Sequence, residues 1–184
     1  MTVFFFLYYC YIINNIIGSI NYVQAYSATN PSTFYLGGSF PVYRKKVGQN
    51  YTTVKPAVER MAAFIAAVDA INADNTILPY TEIKYVLTNG QFDEGITIET
   101  SVDLMQCDQN VTVGAVIGPA TSGNSKSSAH VFNSLHMPQI SYSATSPDLS
   151  QNELYKYFLR TPPHDLFQAN IIIDFLEDEV KARG

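Results

Sequence analysis

The sequence predicts an α/β fold built on a doubly wound, mainly parallel sheet, and three observations carry that expectation. From Phe34 onward, short apolar runs of strand length alternate with longer stretches in which apolar residues recur at helical spacing. Strands that alternate with helices belong to parallel sheets joined by crossovers. Finally, the runs ending at Ile117, Tyr142 and Arg160 each lead into a loop crowded with hydroxyls or ending in a carboxylate. Such loops deliver polar groups to one edge of a sheet, where a small polar ligand sits in open α/β folds.

Phe34 to Phe40 is the first expected strand, followed by a polar loop over Tyr43 to Thr53 that carries Arg44, Lys45 and Lys46. Pro56 opens a helix in which Met61, Phe64, Ile65, Val68 and Ile71 share a face, ending near Asn72-Ala73-Asp74. Ile83 to Leu87 is a strand, and Asp93 to Gln106 a helix with Asp93 and Glu94 favourably placed at its positive end. Val113 to Ile117 is a continuous apolar strand of the kind covered on both faces. Ser122 to Leu135 is a helix, Gln139 to Tyr142 and Tyr157 to Arg160 are strands, and Asp165 to Arg183 is an amphipathic helix through Phe167, Ile171, Ile172, Phe175 and Val180.

Residues 1–25 stand apart. Val3 to Ile17 is almost wholly apolar, and Val23-Gln24-Ala25 has small residues where a signal peptidase reads them, so this segment is expected to be a secretory signal peptide with the mature chain running over 26–184. Its Met1-Thr2 start lacks the usual basic residue, which leaves an uncleaved anchor or a misplaced gene start as alternatives. Asn50-Tyr51-Thr52 and Asn110-Val111-Thr112 are glycosylation sequons consistent with secretion. With Cys10 in the signal segment, Cys107 has no internal partner, and it is either paired outside this chain or a buried inert thiol. Composition is that of a soluble domain, 47% hydrophobic and 15% charged with a net charge of −5, and it offers no basic surface for nucleic acid.

Gly118-Pro119-Ala120-Thr121-Ser122-Gly123 leaves a buried strand and opens a helix, so free N–H groups and the positive end of the helix dipole face the loop. A carboxylate is the anion this suits, since no lysine follows the glycines as in a phosphate loop. Ser122 can add a hydroxyl donor; equally, Thr121 or Ser122 can serve only as the helix cap. Ser143-Ala144-Thr145-Ser146-Pro147-Asp148 repeats the logic, with Thr145 offering hydroxyl and N–H and Ser143 on the cleft side, or else forms an ordinary Ser/Thr turn. Asp165, after Pro162-Pro163-His164, can hold an ammonium group or cap its own helix.

Taken together, in order and in spacing, these three loops resemble the first lobe of the extracellular amino-acid-binding domain of class C G-protein-coupled receptors, the metabotropic glutamate receptors above all. The resemblance implies a periplasmic-binding-protein-like type I fold, of which this chain is an incomplete first lobe. It implies that Ser122 and Thr145 bind a ligand α-carboxylate, that Asp165 binds the α-amino group, and that Ser143 lies in the same pocket. Val58-Glu59-Arg60-Met61 is similar to the family's early helix, where Arg60 would meet a distal carboxylate. Pro56 stands in place of a pocket tyrosine, and the cysteine-bearing segments around that helix are missing, so an amino acid is better supported as ligand than glutamate in particular.

The expected function is therefore that of the ligand-binding ectodomain of a cell-surface receptor on the extracellular face of the plasma membrane. It would close like a clamshell over an amino-acid-like ligand, dimerise through the first lobe, and join the membrane through a region C-terminal to Gly184. The alternatives are the ectodomain of a receptor guanylate cyclase and a soluble solute-binding protein. No cofactor, metal or catalytic residue is expected: His130, His136 and His164 lack ligand spacing, and no Gly-x-Ser-x-Gly elbow occurs.

Overall fold

A computed structural model describes residues 32–45, 48, 50–105 and 113–183. The expected signal segment, Cys10, Cys107 and the Asn110 sequon lie outside them, whereas Asn50 is exposed in a loop. The described chain forms β1 (Ser32–Ser39), the short β2 (Tyr43–Arg44) and β3 (Thr52–Thr53), α1 (Lys55–Ala73), β4 (Thr81–Thr88), α2 (Glu94–Asp103) and β5 (Val113–Ile117). These are followed by α3 (Ser122–Ser134), β6 (Gln139–Ser141), a 3-10 turn (Pro147–Ser150), β7 (Phe158–Arg160) and α4 (Asp165–Arg183).

Five strands make one sheet in the order β4-β1-β5-β6-β7, and every neighbouring pair is parallel. The α/β, doubly wound expectation is met. Right-handed crossovers put α1 on one face of this sheet, and α2 and α3 on the other. The chain leaves β1 outward to β4, returns past it to β5, and continues the other way, so strand order reverses between β1 and β5. Ligands in such sheets bind beyond the carboxyl ends of the strands at that reversal.

The core lies where β5 meets the helices: Leu104, Val113, Val116, Phe132 and Met137 pack as a buried cluster, flanked by Tyr35, Val86 and Met105. A second cluster of Ala129, Ala144, Leu149 and Tyr155, with Phe158 against it, lies under the loops that follow β6. Along α1 the expected stripe is the inward one, since Ala57 and Val68 are buried and Val58, Met61, Phe64, Ile65 and Ile71 half-buried, while the other positions between them are exposed.

Three expectations change. Tyr43 to Thr53, read as loop, closes as a minimal antiparallel hairpin in which Tyr43 pairs with Thr53, and Thr52 Oγ1 donates to the Arg44 carbonyl at 3.2 Å; tyrosine and threonine suit a paired strand. Pro147-Asp148, read as turn, opens the 3-10 turn that seats Leu149 in the second cluster. In α4 the apolar residues of the expected stripe are 54–71% exposed, and Leu166, Ile173 and Leu176 extend the apolar surface round the helix. Apolar residues on several sides give no single stripe for one contact to cover.

Candidate functional site

The β5 exit is shaped by Gly118, whose φ is +104° and whose missing Cβ would stand 2.3 Å from the Ser39 carbonyl oxygen. Only glycine lets the ends of β1 and β5 approach this closely in that conformation. Thr121 then caps α3, its Oγ1 accepting from the Asn124 N–H at 3.3 Å. The capping alternative thus falls to Thr121, and Ser122 is left for other work.

That work joins the loops. Ser122 Oγ accepts from the backbone N–H of Thr145 at 3.2 Å and of Ser146 at 3.1 Å. Both contacts use the oxygen as acceptor, which leaves the Ser122 O–H able to donate. Thr145 N–H, expected to face a carboxylate, is turned toward Ser122 instead, so within Thr145 the hydroxyl is the group left for an anion. The Thr145 carbonyl accepts from the Asp165 N–H at 3.0 Å. A chain of hydrogen bonds therefore runs from the Ser122 hydroxyl of the β5 loop through the backbone of the β6 loop to the start of α4.

Ser143 Oγ donates to the Ala120 carbonyl at 2.5 Å, a second tie between the same two loops. The expectation that this hydroxyl faces the cleft gives way to a cross-link beneath it, because the Ala120 carbonyl offers it an acceptor. Beneath, Ser141 Oγ donates to the Pro119 carbonyl at 2.7 Å and accepts from the N–H groups of Ser143 and Ala144. Ser141 is fully buried, as is Ser125, whose Oγ reaches the same Pro119 carbonyl at 3.3 Å. Buried hydroxyls and peptide groups are stable only when paired in this way.

At the start of α4 the residue that caps is His164: its Nδ1 accepts from the Phe167 N–H at 3.2 Å. Asp165 begins the helix itself, with an exposed side chain. The cap that competed with a binding role for Asp165 is thus filled by its neighbour. Arg60, on the exposed side of α1, sets its guanidinium over the Tyr142 ring at 5.6 Å from the centroid, a cation–π contact. Tyr142 also stacks on Phe40, with centroids 5.4 Å apart and planes 10° from parallel, and its hydroxyl donates to the Ser39 carbonyl at 3.3 Å. Burial pushes the Tyr142 phenol up to about 12, with the Arg60 charge acting in the opposite direction.

Ser122, Ser143, Thr145 and Asp165 thus follow the carboxyl ends of β5, β6 and β7, and Arg60, on α1, reaches the same edge through its contact with Tyr142. Sequence reading missed Tyr142, which fastens Arg60 to that edge, and Arg160, which closes β7. The signal for Arg160 was present: it is the charged end of the apolar run Tyr157-Phe158-Leu159. Among the described residues no cluster of three or more His, Cys, Asp or Glu could hold a metal ion.

A parallel sheet with its polar loops gathered at the reversal of strand order defines a small-ligand-binding domain, and the chain belongs to the receptor family ligand binding region, which it matches over residues 59–179. It is 35% identical to Glutamate receptor 3.4 of Arabidopsis thaliana over 146 residues, covering 79% of this chain and 14% of that protein. Against Glutamate receptor 3.1 of Oryza sativa subsp. japonica it is 37% identical over 115 residues, 62% of this chain and 12% of the relative. Against Metabotropic glutamate receptor 6 of Mus musculus it is 30% identical over 168 residues, 77% of this chain and 19% of the relative. The chain therefore spans less than a fifth of the length of these receptors, and it is a receptor-type ligand-binding region related to glutamate receptors.

Proposed function

We propose that this chain supplies the first-lobe half of an amino-acid site in the ectodomain of a cell-surface receptor, of the metabotropic, G-protein-coupled kind. Ser122 O–H, the Thr145 hydroxyl and the free N–H groups at the start of α3 take the ligand α-carboxylate, and the exposed Asp165 carboxylate takes its α-ammonium. The observation that carries the reading is the hydrogen-bonded run from Ser122 through Thr145 to Asp165. It ties the groups for both charges of a zwitterion to one continuous backbone path. Arg60 would meet a second acidic group at the far end of the ligand, and Ser143 holds the floor of the pocket.

A site of this kind lies outside the cell, behind a signal peptide over residues 1–25, in a chain glycosylated at Asn50 and Asn110, paired through its first lobe and belonging to a membrane-anchored receptor. The plant glutamate receptors support a second architecture for the whole protein, that of a receptor of their own kind, because they are about as similar to this chain as the mouse metabotropic receptor is. Both architectures keep the same site chemistry. Calorimetric titration with the common amino acids tests it: Asp165→Asn lowers affinity about tenfold or more, as the loss of a charge-assisted hydrogen bond requires. Binding of no amino acid, or unchanged affinity in Asp165→Asn, would overturn the proposal.

A further inference from the structure

Arg160 lies at the end of β7, yet its guanidinium reaches back across the β6 loop. Nη1 donates to the Ser146 carbonyl at 2.8 Å and, at 3.5 Å, to the Ala144 carbonyl; Nη2 donates to Ser150 Oγ. Among the described residues no carboxylate lies within ion-pair distance of it, since the salt bridges found there involve Lys55, Lys84, Lys126 and Lys181. The Arg160 guanidinium is therefore spent on two peptide oxygens and one hydroxyl of this loop. Those peptide oxygens flank Thr145 on either side, and the Thr145 carbonyl itself is held by the Asp165 N–H at 3.0 Å.

Donors on the other side complete the grip. The N–H groups of Ala144, Thr145 and Ser146 go to Ser141 Oγ at 3.1 Å and to Ser122 Oγ at 3.2 and 3.1 Å. Across Ala144, Thr145 and Ser146, every backbone N–H and every carbonyl is thus engaged from outside the segment. We infer that Arg160 is the positioning residue of the site: Nη1 holds the carbonyls on both sides of Thr145 while Nη2, anchored on Ser150, fixes the guanidinium, so that the Thr145 hydroxyl is presented in a fixed direction and the side chain of Arg160 touches no ligand. An arginine is suited to this because its guanidinium carries donors on separate nitrogens in one rigid plane, so Nη1 and Nη2 hold the carbonyls and the hydroxyl in a fixed relation, whereas a lysine ammonium is a compact point charge on a flexible stem. The inference rests on the amino-acid site proposed above for its consequence, but the clamp itself can be tested without any ligand.

The experiment uses the full chain with Arg160→Gln and Arg160→Lys. Hydrogen exchange followed by NMR should show the Thr145 and Ser146 amides exchanging about tenfold faster or more in Arg160→Gln, while Val116 and Gln139 amides in the neighbouring strands keep their rates. Arg160→Lys, which keeps the charge but has a single donor nitrogen and no planar fork, should show the same local change to a smaller degree, and it decides the matter if Arg160→Gln does not fold. The second arm titrates L-glutamate and γ-aminobutyrate, which lacks the α-carboxylate. Arg160→Gln should weaken L-glutamate about fivefold or more, leave γ-aminobutyrate unchanged, and have no further effect in a Thr145→Ala background, because the two residues act as one unit. Wild-type exchange at Thr145 and Ser146 in the folded variants overturns the clamp, as does an equal loss of L-glutamate affinity with and without Thr145. If exchange quickens as expected but the parent chain binds neither compound, the clamp stands and the amino-acid reading fails.

Discussion

Between Gly118 and Asp165, peptide groups of the loops are held by serine hydroxyls, an arginine and one another, whereas in α4, which begins at Asp165, eight large apolar side chains stand more than half exposed. The two regions adjoin in sequence and differ in what determines them. In the loops, the peptide groups of Ala144, Thr145 and Ser146 and the hydroxyls of Ser141 and Ser143 find their partners within the sheet edge itself, so their geometry is determined locally. The helix holds its backbone bonds internally, but burial of its apolar side chains depends on contacts outside it. A site for a polar ligand is best built on the first kind of region, because groups already fixed by their neighbours lose little freedom when a ligand arrives.

The sharpest way to break this comparison is by stability. Phe132→Ala, in the buried cluster against β5, should cost about 3–5 kcal/mol, whereas Phe175→Ala on α4 should change stability by less than about 0.5 kcal/mol. Denaturant melts of the two variants read the difference directly. Next in size, Gly118→Ala should cost about 1–3 kcal/mol, because it combines a positive φ with a carbonyl 2.3 Å from the new Cβ. A cost at Phe175 equal to that at Phe132 would mean that α4 is packed in solution.

Titration sharpens the comparison further. The Tyr142 phenol, held up at about 12 by burial, favours the folded state while it is neutral. Its contribution is full below the ordinary tyrosine value near 10 and is lost as pH rises toward about 12. Stability should therefore fall across that window, and Arg60→Ala should move the phenol higher still by removing the charge that opposes burial; ultraviolet titration checks both. The smallest effect is expected at the rim. Asp148, hydrogen-bonded by Lys126 at 2.5 Å, is held below the ordinary carboxylate range. Its contribution is present above the unfolded value and lost as pH falls through the lowered one. Lys126→Met should move the Asp148 titration, followed by carbon NMR, up toward the ordinary value, with the Ser146 hydrogen bond still holding it somewhat low.

Much of this was legible beforehand. Apolar runs of strand length gave the parallel sheet, and hydroxyl-rich loops after Ile117 and Tyr142 pointed to the edge that the topology makes a binding edge. Less legible was which hydroxyl does what. Thr121, Ser122, Ser143 and Thr145 look alike along the chain, and only the approach of β5 to β6 separates the helix cap from the loop tie and the tie from the group left to a ligand. Arg160 and Tyr142 were missed for a related reason. Their partners are main-chain carbonyls and an aromatic face, and neither leaves a spacing pattern in the sequence. In α4, helical periodicity was correctly read as helix, but periodicity reports a face and not what covers it.

The most direct measurement of the central claim is NMR of the isotopically labelled full chain titrated with L-glutamate. The amides of Ser122, Gly123, Thr145, Ser146 and Asp165 should shift together along one binding curve, while those of residues 172–180 in α4 stay in place. Shifts confined to α4 or to the amino-terminal ends of the strands, with Ser122, Thr145 and Asp165 unmoved, would contradict it.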